Sequence, residues 1–351
     1  MIRGMKAIPF AVVLLAGACA LVTEDHSALY EQCGDTAGTS PEQRIEACTA
    51  AIAVGGRYEW QLPYFHADRA RAWSDLGQHE KAIADASKAI ELEPGDATFL
   101  VGRAVVHMEA ADVRAAMADL NAAITAAPDE AFGYRARGTL LIYAGAYEKG
   151  SEDIKKVVNL GSPNAADYTL LGRAYVRLGQ DLFAIPVLNE AIKLDATSSR
   201  AFSLRSEARR RMFDLNGAMS DADEAIRLDP ENDEAFSARS WVWSESEDYP
   251  KSIADIDEAA RLAPRSFIYE ANRCSLRLIA GIDLEGATAG CDIALELEPR
   301  DPDMLSARGV ILLRLERFVA ASADFGACVE VQIAKLEADR DELDYAFCLY
   351  G

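Results

Sequence analysis

Residues 66–96 read HADRARAWSDLGQHEKAIADASKAIELEPGD, and the placing of their apolar and breaking residues decides the fold. Ala70 and Trp73 share one face of a first helix, which Gly77 interrupts. Ala82, Ile83, Ala86, Ala89 and Ile90 then recur at the three- and four-residue spacing of a second helix with one apolar side. Pro94 closes that helix, because a proline nitrogen has no hydrogen with which to continue the ladder. The stretch is helix, turn, helix, and neither helix can bury its apolar side alone.

The same unit returns along the chain. Arginines followed by a small residue stand at Arg69, Arg103, Arg137, Arg205, Arg239, Arg273 and Arg308. The step is 34 residues, doubled once across Leu171-Gly172, where the arginine is missing, and 35 at the end. Pro94, Pro128, Pro230, Pro264 and Pro299 close units in the same phase, the last one residue late. A fixed period of this length is the mark of stacked helical repeats. The units resemble tetratricopeptide repeats. That family's signature of small, aromatic, Ala, Ala and Pro residues falls on Ala70, Trp73, Ala82, Ala89 and Pro94. It recurs on Gly172, Tyr175, Ala184 and Ala191, and on Ala218, Ala225 and Pro230.

The resemblance implies an all-α fold, a right-handed superhelical solenoid of antiparallel helix pairs, with eight repeats over residues 63–335. Residues 21–62 read as a degenerate leading pair and linker, with Ser40 as N-cap and Pro41 at the first helical position. Residues 336–351 read as the polar capping helix that closes such an array. Three departures stand out. Gly150 and Val157 replace the usual alanines of the third unit, predicting less regular packing, and Arg209 takes the aromatic place of the fifth, predicting looseness. The seventh carries an extra residue in its turn.

Within each unit a small residue on the first helix precedes an apolar residue on the second by 16, as in Ala104 and Leu120 or Gly138 and Ile154. In the seventh unit these places are Cys274 and Cys291. Cys33 and Cys48 stand in the same relation in the leading unit, leaving Cys328 with Cys348. Three disulfides, Cys33–Cys48, Cys274–Cys291 and Cys328–Cys348, are expected, the alternative being buried free thiols. No pair has metal-site or redox-motif spacing and no histidine is near, so no metal is expected. A second 16-residue relation joins the recurring arginines to aspartates: Arg69 to Asp85, Arg103 to Asp119, Arg137 to Asp153, Arg205 to Asp221, Arg239 to Asp255 and Arg308 to Asp324. The unit with Leu171 for arginine has Val187 for aspartate, as a structural ion pair lost together requires.

Met1–Ala20 has the order of an export signal: a basic start with Arg3 and Lys6, an apolar run AIPFAVVLL, then small residues. Cleavage after Ala18 or Ala20 would release a periplasmic or extracellular protein. Alternatively, Ala16-Gly17-Ala18-Cys19 resembles a lipobox and anchors the chain to the envelope through Cys19. No other segment reads as a membrane span. With 36 basic against 57 acidic side chains the net charge is −21, which repels nucleic acid.

The four histidines, His26, His66, His79 and His107, are scattered, and no catalytic or phosphate-binding motif occurs, so neither an enzyme nor a cofactor is expected. By resemblance, function lies on the concave face built from first helices. That places Arg135, Tyr143, Arg173, Arg177, Arg200, Arg210, Arg211 and Trp241 in a groove. Arginine clusters clamp carboxylates, so the expected partner is a protein or peptide, acidic or presenting a C-terminal carboxylate. The function expected is a non-catalytic envelope scaffold or adaptor. The alternatives are a structural subunit of an envelope assembly and an accessory factor of an envelope enzyme.

Overall fold

Helices account for all regular structure in the computed structural model, which describes residues 31–34, 38–54, 59–161 and 163–338, with no strand among them. The expected signal, Cys19 and Cys348 lie outside the described residues. The chain divides into two units, residues 1–162 and 163–351. In the first, α1 (Pro41–Val54) and a 3-10 turn (Glu59–Gln61) lead into α2 (Leu62–Asp75) paired with α3 (His79–Leu92). The pairs α4 (Ala97–Glu109) with α5 (Val113–Ala126) and α6 (Ala131–Tyr143) with α7 (Tyr147–Asn159) follow. The second unit pairs α8 (Ala165–Arg177) with α9 (Asp181–Leu194), α10 (Ser199–Arg211) with α11 (Leu215–Leu228) and α12 (Asp233–Glu245) with α13 (Tyr249–Leu262). It ends with α14 (Phe267–Ala280) on α15 (Leu284–Leu297) and α16 (Pro302–Arg314) on α17 (Phe318–Ala338). α17 runs on through Ala338, and most of the expected capping segment, residues 339–351, lies outside the described residues.

Short polar side chains start many of these helices. Asp96, Asp112, Asp214, Asn232, Asp248 and Asp301 each accept a hydrogen bond from a first-turn amide. Asn164 and Asp167 form a reciprocal capping box at α8. The tight turn inside each pair needs a left-handed residue. Gly77, Gly145, Gly179 and Gly281 supply it, but Ala111, Phe213, Glu247 and Glu316 adopt the same positive φ without being glycine.

In the second and fourth pairs alanines pack around a larger side chain: Ala104, Ala116 and Leu120, and Ala184, Leu188 and Ala191, are fully buried. The third pair is closely packed, not irregular. A β-carbon on Gly150 would lie 2.6 Å from Cγ1 of Ile142 and 3.0 Å from the carbonyl of Gly138, so glycine is what lets α7 close on α6. Gly150→Ala, the substitution that the repeat pattern favours, is therefore expected to destabilise by about 1–2 kcal/mol despite the better helix propensity of alanine. A rise in stability on urea unfolding would refute that reading. Nor is the fifth pair loose: Arg209 donates to Asp221 at 2.8 Å and to the carbonyl of Gly217 at 3.3 Å, replacing an aromatic contact by polar ones.

The 16-residue arginine–aspartate relation is a repeated bidentate ion pair. Nε and Nη2 of Arg69, Arg103, Arg137, Arg205, Arg239 and Arg308 reach the two oxygens of their aspartates at 2.7 or 2.8 Å. The remaining Nη1 turns the other way, onto the preceding second helix. It donates to Thr49, Ser87, Asn121, Asn189, Asp223 and Asp292 respectively, at 2.7–3.0 Å. Each arginine thus ties its own pair together and joins it to the helix before. In the seventh pair Gly290 stands where the aspartate would be, and a β-carbon there would meet the amide of Cys274 at 3.0 Å. Arg273 turns backward instead, donating to Asp257 at 2.9 Å and to Glu270 at 2.8 Å.

Cys33 and Cys48 lie at disulfide distance, with Cα atoms 4.8 Å apart, and fasten the helical residues 31–34 to α1. Cys274 and Cys291 do the same across α14 and α15, with Cα atoms 5.1 Å apart. Cys328 is buried on α17.

Candidate binding surfaces on the first helices

In the second unit the arginines singled out from the sequence project from α8 and α10, and each faces acidic side chains of the same unit. Arg177 donates to Glu207 at 3.2 Å, and Arg211 to Glu207 at 3.3 Å. Arg211 also holds Asp181 at 2.8 Å and caps α8 by donating to the carbonyl of Val176 at 2.7 Å. Glu234 stands 3.3 Å from Arg173 and 3.7 Å from Arg200. Arg210 pairs with Glu245, and its guanidinium lies 5.7 Å from the ring centre of Trp241. Behind these, the hydroxyl of Tyr269 donates to Asp233 at 2.7 Å, and burial followed by that carboxylate raises its pKa well above the ordinary tyrosine value. The structure brings the arginines and Trp241 together, but with acidic partners already in place, four carboxylates for the five arginines, and not as an open positive groove. Arg135 and Tyr143 belong to α6 in the first unit, where Tyr143 is exposed at the helix end.

The first unit holds a feature that the sequence reading missed. Between α2 and α4, floored by Ala86 and Ala89 of α3, lies a cavity of about 270 Å³. Its walls are Tyr64, Asp68, Arg71 and Asp75 on α2 and Phe99, Gly102, Val105 and Glu109 on α4. Tyr64 and Phe99 meet edge to face with ring centres 5.2 Å apart. Nothing stands within 4 Å of where a β-carbon of Gly102 would lie, so the missing side chain is what keeps the space open. The corresponding place one and two repeats later is Ala136 and Leu170, and then Leu204, which is buried. That helix-interior glycine was the available signal.

The polar groups of the cavity are mostly acidic. Arg44, buried on α1, reaches Asp75 from behind, and Ser74 donates to Glu109. Asp68 lies 3.8 Å from Arg71, whose side chain is 63% exposed. Burial holds the Asp68 carboxyl above the ordinary aspartate range, outweighing the opposing pull of Arg71 and Arg44. Nearby, but outside the cavity lining, Nδ1 of His66 lies 2.9 Å from Asp85. No group of three or more metal-ligating side chains occurs among the described residues, and none of their helices is long and apolar enough to cross a membrane.

The tetratricopeptide repeat family model matches residues 68–131, which run from within α2 to the start of α6 and include most of the cavity lining but not Tyr64. No sequence among curated proteins matches the chain. Among solved structures, the chain is similar to the APC/C hetero-tetramer Cut9–Hcn1 at 12% identity and a TM-score of 0.61, covering 82% of this chain and 54% of that one. It is also similar to a tetratricopeptide repeat protein from Parabacteroides merdae at 15% identity and a TM-score of 0.53, covering 72% of this chain and 98% of that one. At these identities the likeness speaks for the fold alone. A 34-residue period and antiparallel helix pairs packed in sequence order within each unit give the described residues a fold of tetratricopeptide-repeat type, and the family model matches that repeat over residues 68–131.

Proposed function

We propose that the chain is an exported, non-catalytic adaptor of the bacterial envelope that holds a partner protein against its first helices. A protein–protein interaction scaffold is what the repeat fold suggests. The observation that carries the finer reading is the open cavity between α2 and α4, a concave site with apolar walls and a few polar groups. The signal-like start, Met1–Ala20, supports export, with release after Ala18 or Ala20 or anchoring through Cys19. The arginine network of α8 and α10 is the weaker candidate surface. An acidic partner there would have to displace Glu207, Glu234, Glu245 and Asp181 from their arginines.

A second reading, that of a structural subunit, has one observation in its favour. At the turns inside the pairs of the second unit, Leu182, Phe183, Phe213, Phe318 and Val319 are all more than half exposed. An apolar edge of that kind suits assembly.

Photo-crosslinking in cells separates the two. A crosslinker at Tyr64 or Val105, on the first helices, is expected to capture another envelope protein, and one at Phe213 or Val319 is expected to capture none. Mass spectrometry of the same fraction should find a chain beginning after residue 18 or 20, or a lipidated Cys19. Capture only from Phe213 and Val319, and only of a second copy of the chain, would overturn the adaptor in favour of the subunit. An unprocessed chain in the cytoplasmic fraction would overturn export.

A further inference from the structure

The cavity between α2 and α4 has a chemistry of its own, and it is the reverse of what the arginines of the second unit suggested. We infer that it takes the side chain of a lysine or arginine from an otherwise apolar segment of the partner, so that the chain recognises a basic peptide and not an acidic one. This rests on the adaptor reading above.

Size comes first. At about 270 Å³ the space falls below the range of about 300–1,000 Å³ usual for small-molecule sites and suits one long side chain. Its walls match a side chain of mixed character. Phe99, Val105, Val106 and the alanines of α3 would cover an aliphatic stem, while the Tyr64 ring, 45% exposed, offers a π-face to a cation.

Charge settles the sign. Asp68, Asp75 and Glu109 line the cavity, against a single lining cation, Arg71. Arg71 is largely solvated, and Arg44 is taken up by Asp75 on the buried side. Among the described residues Asp68 is the lining carboxylate with the weakest hold: it is partly buried, with 29% of its side chain exposed, and its ion pair with Arg71 is long at 3.8 Å. An ammonium or guanidinium entering beside it regains the attraction that burial removed. A carboxylate entering the same space would meet three others. The net charge of −21 draws a basic segment toward the chain before contact.

Gly102 provides the test. Its β-carbon would point into open space, and Leu170 and Leu204 occupy the same place in later repeats. Gly102→Leu therefore fills the cavity while improving helix propensity, so it should fold at least as well as the natural chain. The full chain would be titrated with two labelled peptides of identical apolar sequence, one with lysine and the other with glutamate at alternate positions.

The expected results are specific. The lysine peptide binds at least about tenfold tighter than the glutamate peptide, and Gly102→Leu abolishes that preference with the melting temperature unchanged or raised. Asp68→Asn with Glu109→Gln weakens the lysine peptide several-fold and flattens its salt dependence. Equal or tighter binding of the glutamate peptide overturns the inference, as does a Gly102→Leu chain that binds like wild type, or no binding of the lysine peptide at all. If first-helix crosslinks to an envelope protein survive in such a case, the adaptor reading stands without this pocket. Lysine-peptide binding that Gly102→Leu removes, with no first-helix crosslink in cells, fails the adaptor instead.

Discussion

Asp221→Ala lowers the stability of the α10–α11 pair by about 3 kcal/mol, the cost of leaving two partly buried cations without their buried counterion. Asp221 is 3% exposed. It accepts from Arg205 at 2.8 and 2.7 Å and from Arg209 at 2.8 Å, so its loss strands two guanidiniums. Hydrogen-exchange protection of the α10 and α11 amides measures the effect locally, which suits an array whose repeats need not unfold together. An exposed pair is the control. Arg227 and Glu224 also meet at 2.6 Å, yet Arg227→Ala should cost less than about 1 kcal/mol, since its side chain is 66% exposed.

Losing both partners is a different matter. The fourth pair already lives with Leu171 and Val187 at the two places, and Leu171 is buried there. Arg137→Leu with Asp153→Val transplants that solution into the third pair, where Gly138 matches Gly172. The double variant should change stability by less than about 1 kcal/mol, against several for Asp153→Ala alone, because an apolar pair of similar volume avoids desolvating two charges. If the double variant costs as much as the single, the ion pair contributes net stability and the argument from desolvation fails.

The second large effect concerns Cys274 and Cys291. Reducing a bond that closes a loop of this length is expected to cost about 3 kcal/mol, and a reductant should lower the urea midpoint of the natural chain accordingly. Both sulfurs are fully buried, so packing has to be separated from crosslinking. Cys274→Ala with Cys291→Leu does so by restoring the Ala104–Leu120 combination of the second pair. That variant should keep most of the packing and show no response to reductant at this site. The Cys33–Cys48 crosslink would remain, so Cys33→Ala with Cys48→Ala belongs in both backgrounds. A natural chain indifferent to reductant, with thiols that alkylate once it is unfolded, would assign these cysteines as free.

Much of this fold was legible because two helices of fixed length and a fixed turn hold their residues in phase. The residue 16 places after Arg69 must face it, and Asp85 does. The rule failed where one residue entered the turn: Arg273 lost its forward partner to Gly290 and turned to Asp257, 16 places behind. Gly150 was misread for a related reason. A glycine in a helix reads as a weakness until the neighbour that needs its room, here Ile142, is known.

The binding surface was harder to see, since it depends on contacts between repeats. Glu234 reaches Arg173 and Arg200 from another pair, and Glu245 reaches Arg210 across 35 residues, so a row of arginines looked like a positive groove. The cavity is defined by what Gly102 lacks, and periodicity reads the residues that are present.

The backward reach of the ladder arginines bears on how such a chain can grow. Their third nitrogen is satisfied by threonine, serine, asparagine or aspartate, any side chain that offers an oxygen. The forward partner, by contrast, is aspartate in all six pairs. A unit of this design carries its strict requirement inside itself and asks almost nothing of its neighbour. Copying, deleting or exchanging one such module leaves the joints on either side chemically sound, so the length of the array can change faster than the rules that hold it together.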